Sequence, residues 1–386
     1  MLRCSSFSPP PFFVKSKISQ RTENYHRPRI LIVCETELPS PAAWDLEKQV
    51  DKIIRLNNEK VDTPCMLIDS DKVNRMLDYL SEYGKVYYPV KACAYLPLIE
   101  LMVKKGLHFN INSLRYLHLA IKAGASTDSL LVDNCLFSGE EIDEAIFLGA
   151  SMFAVDRLSM AEYILERVPR ARLFLKISAS VIDGKPHKYG IGKERAKSLY
   201  DRLFESGNLY GVSFYIGEDL FNQDNVQTMC EFALSLGEVK RINVGGGFTA
   251  CTFLGDYFKK LATLGVEVIF EPGRGVLVDS CSMLTRVVTV DRNGTLSRLR
   301  VDASVYSGLM DRFIENKNYS FHIEGEPSED YLVSGYTSDS CDCFGVVRLP
   351  KGLREGDLLT ISNCGPYSFD MSSTYSGARP LSFKMV

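Results

Sequence analysis

The chain alternates short apolar runs with longer amphipathic stretches from residue 85 onward. Runs rich in β-branched and aromatic residues favour buried strands, and the intervening stretches, such as 139–148 and 195–205, carry apolar residues at helical spacing. Eight strand-like runs follow one another, at 85–91, 107–111, 129–133, 152–155, 172–178, 210–216, 240–244 and 266–270. Strands that alternate with helices form parallel sheets, and eight such units close most readily into a (β/α)8 barrel. An open, doubly wound sheet has the same alternation and is the alternative.

The pattern changes after Gly275, where β-prone runs are separated by turn signals such as Arg292-Asn293-Gly294. These runs lie at 282–290, 299–303, 331–334, 345–349 and 357–361. Strands joined by short turns indicate antiparallel pairing. The predicted fold class is therefore α/β, a TIM-type (β/α)8 barrel followed by a C-terminal, mainly antiparallel β-domain. The expected divisions are a tail at 1–29, a segment at 30–62 whose strand near 30–36 joins the β-domain, the barrel at 63–280 and the β-domain at 281–386.

The composition is that of a globular protein and argues against several classes of partner. A net charge of -3 over 386 residues gives no basic surface for nucleic acid, and no apolar run is long enough to cross a membrane. The 11 cysteines form no CxxC pairs, so neither a metal site nor a disulfide framework is expected, and a reducing, cytoplasmic compartment is favoured. Residues 1–29 carry six basic residues against one acid, which is typical of a disordered tail or of an organelle-targeting segment.

Residues that are candidates for catalysis or ligand binding follow three of the predicted strands. Lys91 ends the first run, Gly245-Gly246-Gly247 follow the seventh, and Glu271-Pro272-Gly273-Arg274 follow the eighth. In a barrel these strand ends meet at one mouth, where active sites form. A lysine held there in an apolar pocket can act as a nucleophile, although an exposed lysine that closes a strand is the alternative for Lys91 taken alone.

The glycines and Arg274 are suited to bind a phosphate group. Glycine leaves its backbone N–H groups accessible, and an arginine offers a planar pair of donors to the same anion. A run of glycines alone is more often a flexible turn. Its position beside Glu271 and Arg274 is what favours a phosphate site. A lysine, a carboxylate and a phosphate site in one barrel mouth indicate pyridoxal 5'-phosphate (PLP), whose ring acts as an electron sink when its nitrogen is protonated.

Seven ordered motifs between about residues 63 and 380 resemble those of the PLP-dependent ornithine/diaminopimelate/arginine decarboxylases, the group IV family with an alanine racemase-like barrel. YPVKAC at 88–93 resembles the family's lysine motif YAVKAN, and FEPGR at 270–274 its EPGR motif. The other motifs are HKYGI at 187–191, GVSFYIG at 211–217, INVGGGF at 242–248, SGYTSDSCD at 334–342 and GPYSFDMSSTYSG at 365–377.

The resemblance implies a role for each matching residue. Lys91 would carry PLP, and Glu271 would face its pyridine nitrogen. Tyr215 departs from the family, which has a histidine there, but would still stack on the ring. The phosphate would be bound by residues of the glycine loop, of EPGR and of the β-domain, namely Gly245, Gly246, Gly247, Gly273, Arg274 and Tyr367. Asp339 would meet the distal amine of the substrate in a neighbouring subunit, because active sites of the family form across a homodimer interface.

Several positions depart from the family pattern. Ser338 occupies the place of the proton-donating cysteine, and a hydroxyl is a much weaker acid than a thiol. Cys341, three residues further on, is the alternative donor, or simply a packed thiol. Glu218 replaces a phosphate-binding serine, and Asn110 and Tyr116 stand where the family often has acidic residues.

The expected function is that of a carboxy-lyase in polyamine or amino-acid metabolism. It would decarboxylate a basic amino acid resembling ornithine, lysine or arginine, through a Schiff base at Lys91 and a quinonoid intermediate. Asp339 and Glu315 favour a basic substrate, whereas Arg312 could bind a distal carboxylate and would favour a diaminopimelate-type substrate; an exposed polar turn is the alternative for Arg312 and Glu315. A catalytically impaired homologue that binds another protein is the second hypothesis, and a racemase is a weaker third.

Overall fold

The computed structural model describes residues 61–217, 219–249, 253–314 and 317–386. A short strand, β1 (Cys65–Ile68), and a helix, α1 (Ser70–Ser81), precede a closed barrel of parallel strands. The barrel strands are β2 (Lys85–Pro89), β3 (His108–Ile111), β4 (Leu130–Val132), β5 (Met152–Val155), β6 (Arg172–Ile177), β7 (Leu209–Phe214), β8 (Arg241–Asn243) and β9 (Glu267–Phe270). Each lies within a predicted run or starts one residue before it.

Pairing between the first and last barrel strands decides between the two predicted architectures. Lys85 lies opposite Ile269 and Val86 opposite Phe270 in a parallel register, so β2 and β9 complete the ring. An open sheet would leave both strands as edges. The barrel prediction is confirmed.

Helices surround the barrel and cover the outer face of its strands, so that each strand is buried on both faces. Tyr87 of β2 packs inside the barrel with Leu131 and Phe174, while Val86 and Tyr88 face the helical layer. Alternation along each strand therefore separates a small interior cluster from the larger core. The helices of this part are α2 (Leu96–Lys104), α3 (Leu114–Lys122), α4 (Gly139–Phe147), α5 (Leu158–Arg167), α6 (Ser180–Asp183), α7 (Lys193–Glu205), α8 (Gln223–Ser235), α9 (Gly255–Thr263) and α10 (Arg274–Leu277).

Local sequence determines where several helices begin. Ser138 accepts a hydrogen bond from Glu141 N at 3.2 Å, and the Glu141 side chain accepts one from Ser138 N at 2.8 Å, a capping box at the start of α4. Asn222 caps α8 by accepting from Asn225 N at 2.9 Å. Both predicted helices, at 139–148 and 195–205, are confirmed.

A second sheet forms the C-terminal part of the molecule. Its strands are β10 (Cys281–Asp291), β11 (Ser297–Val301), β12 (Ser320–His322), β13 (Pro327–Ser334), β14 (Cys343–Pro350), β15 (Leu358–Ser362) and β16 (Ser382–Met385), with the short helices α11 (Asp311–Ile314) and α12 (Ser368–Met371) between them. The strands run in the order β12-β15-β10-β11-β13-β14, and β1 joins the sheet by pairing with β10 and β16. Most pairs are antiparallel; β11 with β13 and β1 with β16 are parallel.

The predicted mainly antiparallel β-domain is therefore present, but β1, β12 and β16 were not predicted. Each has only three or four residues, which is too short for a reliable alternation signal. β1 lies before the barrel in the chain and yet pairs with the sheet that follows the barrel. The strand expected at 30–36 and the tail at 1–29 lie outside the described residues.

One backbone contact brings the β-domain to the barrel mouth. Tyr367 N donates a hydrogen bond of 2.6 Å to the carbonyl oxygen of Ala92, which follows Lys91. The β-domain thus supplies a side chain beside the first barrel strand. Within the described residues, no helix is both long and apolar enough to cross a membrane.

Candidate functional site

A cavity of about 620 Å³ opens at the carboxyl ends of the barrel strands. This volume suits a cofactor-sized ligand, and the position is where barrel enzymes bind their substrates. Its lining is mostly polar: Pro89, Lys91, Asn110, Asn112, Ser113, Arg115, Tyr116, Asp133, Asn134, Cys135, Lys176, Tyr189, Tyr215, Gly246, Gly247, Glu271, Gly273, Arg274 and Tyr367.

Lys91 lies in a single helical turn, Val90–Ala92, directly after β2. Val90 and Ala92 are buried and fix the turn, while the Lys91 side chain is exposed to the cavity. Lys91 shares this mouth with polar side chains, because strands β3, β4 and β6 bring Asn110, Asp133 and Lys176 to it.

The glycine loop after β8 lies against the end of β9. A Cβ atom at Gly246 would stand 2.4 Å from the Glu271 carbonyl oxygen, so no side chain fits there. Gly245 has φ +70°, a conformation that L side chains rarely adopt, and its carbonyl accepts a 2.8 Å hydrogen bond from Glu271 N. Gly246 and Gly247 line the cavity, and Gly245 holds the loop behind them.

Glu271 follows β9 and is partly buried at the cavity wall, where two asparagines hold its carboxylate. Asn110 Nδ2 donates to Glu271 Oε1 at 2.8 Å, and Asn243 Nδ2 donates to the same oxygen at 2.6 Å. Burial and the neighbouring charge of Asp133 raise the pKa of Glu271, while Lys176 and the two amide hydrogen bonds act in the opposite direction.

Asp133 and Lys176 form a buried ion pair in the same cavity. Lys176 Nζ lies 2.5 Å from both oxygens of Asp133, and the two side chains are 10% and 7% exposed, respectively. Although burial opposes ionisation of either group, the lysine charge lowers the pKa of Asp133 and the carboxylate raises the pKa of Lys176. Both groups are therefore charged near neutral pH.

Tyr367, Arg274, Gly273 and Tyr215 also lie at the cavity. The guanidinium carbon of Arg274 is 5.3 Å from the centroid of the Tyr367 ring, and a Cβ atom at Gly273 would lie 3.4 Å from the Tyr367 hydroxyl. Tyr367 has φ +65°, a strained conformation of the kind that gathers at functional sites. Tyr215 is 46% exposed and lies beside the glycine loop, where a Cβ atom at Gly245 would be 3.4 Å from its ring.

A carboxylate of α12 joins the β-domain to α3 across this mouth. The Tyr116 hydroxyl donates to Asp370 Oδ2 at 2.6 Å, and Arg115 lies 2.7 Å from Asp370 Oδ1. Asp370 is three residues after Tyr367 in the chain. Tyr116, noted in the sequence as a departure, therefore contacts an acidic residue supplied by another part of the fold.

The remaining predicted residues that the structure describes do not line this cavity. Among the described residues around it, none comes from the loop that holds Ser338, Asp339 and Cys341, nor from the helix that holds Arg312. Ser338 is exposed, with its hydroxyl 3.4 Å from that of Ser376, and Cys341 is exposed as well. Glu315 and Glu218 lie outside the described residues.

The geometry around Asp339 and Arg312 is local. The pKa of Asp339 is lowered first by the hydrogen bond of 2.8 Å from Cys341 N. Partial burial opposes the shift, and contacts with the side chains of Tyr306, Cys341 and Tyr375 lower the pKa further. Arg312 donates to Lys317 O at 3.2 Å and to Asn318 Oδ1 at 2.6 Å. The Arg312 guanidinium thus donates to acceptors within its own loop.

The loop that carries Asp339 is anchored by Asp342, which is buried. Asp342 accepts hydrogen bonds of 2.7 to 2.9 Å from Ser304, from Val305 N and from both the backbone and the hydroxyl of Thr337. A Cβ atom at Gly335 would stand 2.2 Å from Asp342 Oδ1, so the glycine is required for this approach. The loop therefore has a defined shape although its tip is exposed.

The sequence analysis assigned no role to the polar residues bonded to Glu271 and to one another: Asp133, Lys176 and, beyond its departure from the family pattern, Asn110 line the cavity, and Asn243 lies beside Glu271. Each lies in the last residues of a barrel strand or directly after one. The strand-end rule that selected Lys91 and Glu271 would also have selected them. They were missed because neither asparagine nor an ion pair has a motif of its own.

Comparisons with known proteins agree with this geometry. Residues 70–278 match the family model described as pyridoxal-dependent decarboxylase, pyridoxal binding domain. Diaminopimelate decarboxylase of Methanothermobacter thermautotrophicus is 25% identical over 366 residues, covering 82% of this chain and 85% of the relative. Diaminopimelate decarboxylase of Deinococcus radiodurans is 27% identical over 351 residues, covering 83% and 90%.

Solved structures show the same fold. The lysine/ornithine decarboxylase of Vibrio vulnificus, complexed with cadaverine, aligns with TM-score 0.76 and 19% identity, covering 87% of this chain and 98% of the other. The arginine decarboxylase of Paramecium bursaria Chlorella virus aligns with TM-score 0.74 and 18% identity, covering 88% and 100%. The family model covers more than half of the chain. The chain therefore belongs to the pyridoxal-dependent decarboxylase family and is a PLP-dependent amino-acid decarboxylase.

Proposed function

We propose that PLP is held in this cavity by Lys91, Glu271, Arg274, Tyr367 and the glycine loop. The fit of Gly246 carries the proposal, because a Cβ atom there is excluded and the bare backbone faces the cavity beside Arg274. Backbone N–H groups and a guanidinium are suited to a phosphate. The Glu271 carboxylate, which also lines the cavity, is suited to a protonated pyridine nitrogen.

Each of these residues then has a specific role in binding the cofactor. Lys91 binds the cofactor covalently through its ε-amine, and Tyr215 covers the face of the ring. When bound, PLP supplies an electron sink that stabilises the carbanion left at Cα once the α-carboxylate departs as CO2. Glu271, as a carboxylate, favours a proton on the ring nitrogen.

The preferred substrate in this proposal is an amino acid with a cationic distal group. Asp339 supports it, since its lowered pKa keeps the carboxylate charged and able to attract an amine. Arg312 gives less support to a distal carboxylate because it donates within its own loop. Ser338 or Cys341, both exposed beside Asp339, would return the proton to Cα.

A diaminopimelate-type substrate is the second candidate. Two relatives with the name diaminopimelate decarboxylase are 25% and 27% identical to this chain. Such a substrate carries both an amine and a carboxylate at its distal end. Arg115 lines the cavity with a side chain that is 66% exposed; one nitrogen of its guanidinium pairs with Asp370, and the other would bind that carboxylate.

A homodimer completes the site in this proposal, because Ser338, Asp339 and Cys341 do not line the cavity of their own protomer. The surface beside their loop is apolar: Tyr336 is 37% exposed, Phe313 42%, Ile314 63% and Tyr375 56%. Exposed aromatic residues around a functional loop are typical of an interface. A second copy of the chain would cover this surface and bring Asp339 to the first copy's cavity.

The test uses purified wild type and Lys91→Ala, together with Lys188→Ala as a matched exposed-lysine control outside the cavity lining. Wild type and the control should show the absorbance of lysine-bound cofactor near about 420 nm, and Lys91→Ala should not. CO2 release and product mass are then measured with L- and D-forms of ornithine, lysine and arginine, and with diaminopimelate. An impaired homologue would show the absorbance but release no CO2 with any of them, and an unchanged spectrum in Lys91→Ala would overturn the assignment of Lys91.

A further inference from the structure

A continuous chain of polar side chains crosses the floor of the cavity. Lys176 of β6 pairs with Asp133, Asp133 Oδ2 accepts a 3.0 Å hydrogen bond from Asn110 Nδ2, and the same amide donates to Glu271 at 2.8 Å. Asn243 of β8 completes the chain with its 2.6 Å bond to Glu271. Asn110, Lys176 and Asn243 are themselves almost fully buried.

Both asparagine amides donate to the same oxygen of Glu271. Oε1 receives Asn110 Nδ2 and Asn243 Nδ2, and the carboxylate has a second oxygen left for a ligand. An amide donor stabilises a carboxylate without bringing a positive charge. A lysine or arginine in either place would instead neutralise Glu271 and compete with a cationic ligand.

Asn110 also separates two carboxylates that would otherwise be adjacent. Its amide bridges Asp133 Oδ2 and Glu271 Oε1, and Lys176 balances only the Asp133 side by direct contact. An aspartate at position 110 would place three carboxylates in a row. The neutral amide thus donates to both acids and adds no further negative charge between them.

Asn243 connects Glu271 to the glycine loop. While its Nδ2 donates to Glu271, its Oδ1 accepts a 2.9 Å hydrogen bond from Gly245 N. One side chain therefore fixes the Glu271 carboxylate relative to the backbone of the glycine loop. A cofactor that contacts both the carboxylate and the loop needs this spacing to be fixed.

We propose that Asn110 and Asn243 are positioning residues for the cofactor: their amides clamp Glu271 Oε1 and present the other oxygen of the carboxylate to the ring nitrogen of PLP. The proposal rests on the proposed role of Glu271. It assigns to two asparagines a function that acts through Glu271 and not by touching the substrate.

The charged groups that face this clamp come from several elements. Asp133 after β4 raises the pKa of Glu271, and Lys176 of β6 lowers it. Lys91 after β2 and Arg274 at the start of α10 line the same cavity. Because burial already raises the pKa of Glu271, removing an amide donor should leave a larger fraction of it protonated, and the ring nitrogen should then lose its proton.

The experiment uses Asn110→Asp and Asn243→Asp, which keep the side-chain shape but replace the donor with an acceptor. Asn243→Asp can still accept from Gly245 N, so the contact with the loop is kept while the donor to Glu271 is lost. Asn208→Asp is the matched control: Asn208 donates hydrogen bonds of 2.9 and 3.0 Å to Pro169 O and Ala171 O, remote from the cavity. PLP labelled with 15N at the ring nitrogen is bound to each apoenzyme, and its chemical shift and dissociation constant are measured across pH.

The ring nitrogen should be protonated in wild type and in Asn208→Asp, and unprotonated over part of the same pH range in both cavity variants. PLP affinity should fall about tenfold in these variants, equivalent to about 1.4 kcal/mol, and stay unchanged in Asn208→Asp even if its melting temperature falls. In a Glu271→Gln background, Asn110→Asp should have no further effect on the ring signal, as expected of a residue that acts through Glu271.

Unchanged ring signal and affinity in Asn110→Asp and Asn243→Asp would overturn the proposal. If the aspartate variants do not fold, Asn110→Ala and Asn243→Ala remove the donors without adding charge and carry the same expectation. Failure of the proposed function is distinguishable, because wild type itself would then lack Lys91-bound cofactor or a protonated ring nitrogen.

Discussion

At the scale of single residues, the site depends on charges that are buried and paired. Lys176 and Asp133 are only 10% and 7% exposed, yet their nitrogen and oxygen atoms are in contact. Removing one partner of such a pair leaves an uncompensated buried charge, which costs more than the pair itself contributes. Removing one partner is therefore expected to destabilise the fold more than removing both.

Lys176→Met should lower the free energy of unfolding of the apoenzyme by about 3–5 kcal/mol, because Asp133 then lies buried without its counter-ion. The double variant Lys176→Met, Asp133→Leu should recover most of that loss. Urea denaturation at neutral pH measures both. Equal loss in the single and double variants would show that packing, and not charge, is responsible.

The pH dependence of stability follows from the same pair. Since the folded protein lowers the pKa of Asp133, this residue stabilises the fold fully above its ordinary pKa of 3.8, and the contribution disappears as pH falls through the lower, folded value. The wild type should therefore lose stability more steeply below pH 3.8 than the double variant does. Urea midpoints measured at successive acidic pH values check this, and parallel curves for the two proteins would contradict it.

At the scale of elements, α12 connects the β-domain to the barrel mouth. Asp370 receives the Tyr116 hydroxyl from α3, and Tyr367 N, at the start of α12, donates to Ala92 O beside Lys91. A four-residue helix has little stability of its own, so these contacts determine its position. The position of the Tyr367 side chain depends on them as well.

Tyr116→Phe removes the hydroxyl and should cost about 1 kcal/mol of stability, together with a severalfold loss of PLP affinity because Tyr367 is less firmly placed. Tyr163→Phe is the matched control, since Tyr163 also donates to an aspartate, Asp143 at 2.9 Å, but on the surface. Thermal melting and cofactor titration compare the two. Identical behaviour of the two variants would mean that the α12 contact does not position Tyr367.

At the scale of the whole molecule, the predicted residues separate into two sets. Lys91, Tyr215, Gly246, Gly247, Glu271, Gly273, Arg274 and Tyr367 line the cavity, whereas Ser338, Asp339, Cys341 and Arg312 do not. The second set lies beside an exposed apolar surface. The proposed dimer, in which each copy would complete the other's cavity, would account for both observations.

Mixing two inactive variants tests this arrangement. Lys91→Ala and Asp339→Ala should each be inactive, yet after subunit exchange about half of the dimers contain one of each and hold one intact site. The mixture should regain up to about a quarter of wild-type activity. Absence of any recovery, with exchange verified by mass, would place Asp339 outside the partner's site.

The sequence determined the barrel, the β-domain and the strand-end residues because these depend on local patterns. Alternating runs define strands and helices, and a parallel strand brings its last residues to one mouth whatever the rest of the fold does. Lys91, Glu271 and Arg274 could be placed together for that reason alone. The motif around each of them also lies within a few consecutive residues.

Only the tertiary structure decided which side chains face each other across the barrel. The Asn110–Glu271 bond joins residues 161 positions apart and the Tyr116–Asp370 bond residues 254 apart, so neither leaves a local pattern in the chain. β1, a four-residue strand, likewise gains its identity from pairing with β10 and β16. Hydrogen bonds and ion pairs depend on distances in space, and those are set by closure of the barrel and docking of the β-domain.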